Sequence, residues 1–88
     1  MIKISRKHQK EDAEIRSITD QLASDMEKEF DVNHHWSGNV LKFSRTGIDG
    51  AIELKDGEVE VRLKKSFFVP LSDSFLKSKI EEKLDLLL

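Results

Sequence analysis

The sequence predicts an α+β fold of order β-α-β-β-β-β-α, with a twisted, mainly antiparallel sheet and two helices packed on one face. Three observations predict it. Apolar residues recur at helical spacing in two segments, one in each half of the chain. Between these segments the period shortens to two, as in half-buried strands. Gly38-Asn39 and Asp56-Gly57 punctuate that alternation as two-residue hairpin turns. One-sided elements of this kind bury their apolar faces by packing in layers.

Each element has its own signal. Ile2 and Ile4 alternate with Lys3 and Ser5, which predicts a short strand with one buried face. A helix is predicted from about Glu11 to Phe30, with Ile15, Ile18, Leu22, Met26 and Phe30 as its apolar stripe. Ala13 and Ala23 favour it, and Asp31-Val32-Asn33 ends it. The Gly38-Asn39 turn sets Trp36 opposite Leu41 and His34 opposite Phe43 on one side, with His35 and Lys42 on the other. Residues Thr46 to Gly50 are expected to form a second turn region, in which Asp49 fixes the turn through its own backbone. Asp56-Gly57 then places Leu54 opposite Val59 and Ile52 opposite Val61. Glu53, Lys55, Glu58, Glu60, Arg62 and Lys64 fall on the wet face. Pro70 stops further pairing, and Ser72 caps a last helix whose stripe is Leu76, Ile80, Leu84 and Leu87.

The 88 residues suit one domain, 1–88, and leave no room for a second. A chain this short gains stability from association, so a homodimer is expected. With no cysteine there is no disulfide framework and no thiolate metal site. Charged residues make up 36% and apolar residues 38%, the balance of a folded soluble protein. No apolar run approaches the roughly 20 residues of a membrane span, and the start Met1-Ile2-Lys3-Ile4 does not read as a secretory signal. A cytoplasmic location is therefore expected. Residues 11–31 hold eight acids and two bases within a chain of net charge −2, so the remainder is basic. That layout lacks the basic stripe on a basic domain that nucleic acid requires.

Few residues are candidates for chemistry. His34 and His35 are adjacent in a strand, so they point to opposite faces and cannot share one metal ion. His8 lies on another element, beside the basic cluster Lys3, Arg6, Lys7 and Lys10. No serine sits in a GxSxG elbow, and the glycines 47 and 50 lie between strands rather than at a helix start. No catalytic, cofactor-binding or metal-ligating set is predicted. The anomaly is apolar surface. Phe75 and Leu86 are eleven residues apart, and at about 100° per residue they share a helix face opposite the buried stripe. Phe67 and Phe68 are neighbours that need not both be buried. These four are the candidate partner contacts.

Lys7-His8, Trp36-Ser37-Gly38-Asn39, Val59-Glu60-Val61-Arg62-Leu63 and Phe68-Val69-Pro70-Leu71 are spread from end to end of the chain, and the run Phe43-Ser44-Arg45-Thr46-Gly47-Ile48-Asp49-Gly50 is the most specific stretch. In these residues the whole chain resembles the polyhydroxyalkanoic acid system protein family. It departs at Lys10, and at Lys64-Lys65-Ser66 where the family tends to carry glycine. The resemblance implies association with polyhydroxyalkanoate storage and brings no catalytic residues with it. The leading expectation is a non-catalytic accessory that binds a granule protein or the granule surface through Phe67, Phe68, Phe75 and Leu86. One alternative is a small acyl-ligand binder or minor enzyme with a pocket lined by His34, Trp36 and Phe43. Another is a dimeric scaffold within a larger complex.

Overall fold

A computed structural model describes residues 1–88. The order of elements is β1 (Ile2–Lys7), α1 (Asp12–Phe30), β2 (Asn33–Ser37), β3 (Val40–Arg45), β4 (Ile48–Lys55), β5 (Glu58–Lys65) and α2 (Asp73–Leu87). The strands form one open sheet in the order β1-β5-β4-β3-β2. Every pairing is antiparallel, and the two terminal strands of that order, β1 and β2, are its edges. The predicted registers hold: Trp36 pairs with Leu41, His34 with Phe43, Leu54 with Val59 and Ile52 with Val61.

One core lies between the sheet and the two helices. Ile2 and Ile4 of β1, Leu41 and Phe43 of β3, Ile48 and Ile52 of β4, and Val59, Val61 and Leu63 of β5 supply its sheet side. Leu76, Ile80 and Leu84 supply the α2 side, and Leu87 packs at its margin. On α1 the buried line is Ile15, Thr19, Leu22, Ala23, Met26 and Phe30. Ile18, expected in that line, is only half-buried, and Thr19 takes its place. Thr19 is tolerated there because its hydroxyl donates to the Ile15 carbonyl at 2.7 Å, which satisfies the one polar atom it buries. Lys79 and Lys83 of α2 reach Glu29 of α1 at 3.7 and 2.9 Å, tying the helices together at the surface.

The second turn is shorter than expected. Arg45 pairs directly with Ile48, so only Thr46-Gly47 turns, with Gly47 in the left-handed region at φ 88°. Asp49 and Gly50 lie inside β4, where Asp49 pairs with Ser44 and Lys64 and fixes no turn. Gly50 is a packing glycine rather than a turn glycine. It faces Phe43 across the β3–β4 ladder, and the Phe43 ring occupies the space a Cβ would need.

Glu60 is on the outer face as predicted, yet its side chain is only 8% exposed. Lys55 covers it at 2.8 Å, Arg62 at 3.7 Å and Lys3 at 4.0 Å. The Lys55 hydrogen bond, then the Lys3, Lys55 and Arg62 charges, hold the Glu60 carboxyl below its ordinary range. A depressed folded-state pKa means that the contribution is present above the unfolded carboxyl pKa and is lost as pH falls through the folded one. Acid titration of wild type and Glu60→Gln is therefore expected to give converging stabilities at low pH, with the wild type ahead near neutrality.

Candidate functional site

The segment between β5 and α2 presents the most unusual surface of the molecule. Ser66 donates its backbone N–H to the Gly47 carbonyl at 2.8 Å, and Val69 donates to the Ser66 carbonyl at 3.2 Å. Val69 turns into the core and its methyl lies against Gly47. Pro70 cannot extend a strand ladder, and the Ser72 hydroxyl then accepts from the Phe75 N–H at 3.0 Å to start α2. A backbone pinned at both ends leaves Phe67 and Phe68 outside. Phe67 is 97% exposed and Phe68 58%. Their rings meet edge to face with centroids 6.2 Å apart. Phe68 rests one ring edge on Gly47, where any side chain would displace it.

Phe75 is 44% exposed in the first turn of α2, with Lys79 Nζ 5.8 Å from its ring centroid. Leu86 is 80% exposed but stands three turns further along α2, about 16 Å away by helical rise. The four candidate contacts are thus all exposed but fall in two places. Phe67, Phe68 and Phe75 belong to the loop and the helix start that follows it, and Leu86 belongs to the far end of α2. Lys64, Lys65 and Lys77 flank the aromatic loop in sequence, with Lys65 turned 3.7 Å from Asp73.

His34, Trp36 and Phe43 share the inner face, as predicted, but they do not line a depression. Phe43 is buried over Gly50. The Trp36 indole donates to Asp20 at 2.6 Å and carries the Arg16 guanidinium 4.0 Å above its ring. His34 places Nδ1 3.9 Å from Glu27. The largest depression, about 410 Å³, lies elsewhere, where Asp12 and Arg16 of α1 face Asn39 and Asp56 of the hairpin tips. His8 accepts the Lys10 N–H on Nδ1 at 3.0 Å, so its neutral form carries the proton on Nε2. No three His, Asp or Glu side chains converge to hold a metal ion. The groups with shifted pKa are all driven further into their charged forms. Arg6 is raised by Asp85 and Glu81, Lys55 by Glu60 and Lys83 by Glu29, while Glu60 is lowered by Lys55.

The run from Phe43 to Gly50 has a structural account in most of its residues. Phe43 covers Gly50, Gly47 makes the turn, and Ile48 enters the core. Arg45 donates to the Phe30 carbonyl at 3.0 Å, capping the last turn of α1. A family model described as "Putative polyhydroxyalkanoic acid system protein" matches residues 2–88. The chain belongs to this family. No curated protein and no solved structure matches it. In this member of the polyhydroxyalkanoic acid system family, the most specific stretch of sequence is thus tied to the β3–β4 hairpin and the end of α1, while the aromatic loop is joined to it through Gly47. Sequence reading alone missed this link, because Gly47 and Phe68 are distant in the chain and meet only across the sheet.

Proposed function

We propose that the chain is a non-catalytic accessory of polyhydroxyalkanoate storage that holds to the apolar granule surface in the cytoplasm through its aromatic loop. The observation that carries this reading is the outward pair Phe67 and Phe68 on a backbone fixed at Gly47 and Ser72. A rigid support matters, because the rings are presented without the entropy cost of ordering a floppy loop on contact. Burying two phenylalanines yields about 4 kcal/mol before the costs of association. Phe75 widens the contact, and the lysines beside the loop keep the rest of that end solvated. Leu86, at the far end of α2, is left for a second copy, and a homodimer would carry two aromatic loops to one particle and raise avidity. Family membership supplies the link to the storage system.

Co-sedimentation with protein-free polyhydroxyalkanoate particles tests the reading. The Phe67→Ser/Phe68→Ser variant is expected to bind about a hundredfold more weakly than wild type, allowing for incomplete burial. Its thermal midpoint should hardly move, since both rings are largely exposed. Unchanged binding by a folded double variant overturns the proposal.

A further inference from the structure

The two edges of the sheet are unlike. β1 carries Lys3, Arg6 and Lys7, and Arg6 is held by Glu81 and Asp85 of α2 at 3.0 and 3.1 Å. Charge of this kind on an edge strand discourages the addition of another strand. β2 reads Asn33-His34-His35-Trp36-Ser37, without lysine, arginine or proline. It pairs with β3 in unbroken register, so no bulge turns it aside. Ser37 and Val40 close a two-residue hairpin, so Ser37, His35 and Asn33 spend their backbone groups on β3. His34 and Trp36 direct their N–H and C=O groups to the open side.

A line of acid runs along α1 beside that edge. Asp20 holds the Trp36 indole, Glu27 lies beside His34, and Asp31 ends the helix. The base on this line, Arg16, is occupied by the Trp36 ring and by the Gly38 carbonyl at 3.3 Å. Glu27 is about half exposed and pairs with no lysine or arginine; His34 Nδ1 lies 3.9 Å away. We propose that the β2 edge accepts an extended basic segment of a partner protein as a sixth strand, with Lys or Arg at alternate positions facing Asp20, Glu27 and Asp31. The backbone groups of His34 and Trp36 supply the ladder, and the helix supplies the charge selection.

Charge and register argue against a second copy in this place. Pairing β2 with β2 would bring two α1 segments together, each with eight acids and two bases over residues 11–31. Pairing β2 with a neighbour's β1 would leave Lys3 and Lys7 on the open face, because Ile2 and Ile4 hold the helix side, and Arg6 on that side is already held by Glu81 and Asp85 of its own α2. Neither arrangement meets the acidic line with an unpaired basic side chain. The proposal stands apart from the aromatic loop and does not depend on it.

A short peptide alternating lysine and valine is the probe, with a twin carrying glutamate for lysine. NMR titration of the intact chain is expected to show binding of the lysine peptide, slowed amide exchange at His34 and Trp36, and a preference of about tenfold or more over the twin. Glu27→Lys should remove that preference. His34→Pro, which deletes one outward N–H and no β3 bond, should weaken both peptides. The proposal is overturned by equal binding of the twins, by failure of both to bind, or by a preference that survives Glu27→Lys. Protection of the His34 and Trp36 amides in a self-associated chain without peptide also overturns it, by giving the edge to a second copy.

Discussion

Gly50→Ala is expected to destabilise the fold by about 3 kcal/mol, the upper part of the range for overpacking a core. A methyl at this position falls within the Phe43 ring and lies 2.8 Å from the Arg62 carbonyl oxygen of the neighbouring strand. The ring is buried, so it cannot swing into solvent. The backbone oxygen belongs to the central β4–β5 ladder and cannot move without loosening it. A loss of this size lowers the melting temperature by about 15 °C in a domain of this length. Thermal or urea unfolding of the purified variant measures it. The companion variant Phe43→Leu/Gly50→Ala should recover part of the loss, because removing the ring frees the space the methyl needs. If Gly50→Ala melts with the wild type, the close stacking of Phe43 on Gly50 is wrong.

Leu22→Ala and Ile18→Ala should differ by about 2 kcal/mol, although both residues lie on the same helix at apolar spacing. Leu22 is fully buried in the core, and its truncation leaves a cavity that close-packed neighbours cannot fill. The expected cost is about 3 kcal/mol. Ile18 is half in solvent, so its truncation removes less buried surface and leaves no closed void; about 1 kcal/mol is expected. Chemical denaturation of the two variants decides the rotation of α1 on the sheet. Equal losses would return Ile18 to the buried line and displace Thr19 from it.

Of these sites, Gly50 belongs to the family's most specific stretch. Phe43, Gly47 and Gly50 are held by packing and backbone conformation, and Arg45 by the end of α1. Packing and backbone conformation thus account for the sharpness of those positions. Ser44, Thr46 and Asp49 are its exposed remainder, with Asp49 on the open face between Ser44 and Lys64.

Periodicity and turn chemistry act over a few residues, and what depends on them was legible. The helix segments, the two strong hairpins and their registers follow from which residues alternate and where glycine can take positive φ. The exposure of Phe75 and Leu86 was legible for the same reason, since both fall opposite the buried stripe of α2, whereas Phe67 and Phe68 stood out only as adjacent rings that need not both be buried. Gly50 was misread because a glycine flanking Asp49 looks the same whether it turns the chain or makes room for a ring. Only the position of Phe43 across the ladder separates the two. Thr19 was passed over because its side chain is polar, and the Ile15 carbonyl that satisfies it becomes available only once the helix has formed.

The sequence by itself determined the order of elements and the inner and outer faces of each strand. Those are properties of short stretches of chain, set by side-chain spacing and backbone preference. The tertiary structure alone decided which strands became edges, that β1 closes on β5 and leaves β2 open, and that Glu60 lies beneath three cations. Each of these depends on residues far apart in the chain meeting in space, and chain entropy and packing settle that only when the whole core forms at once.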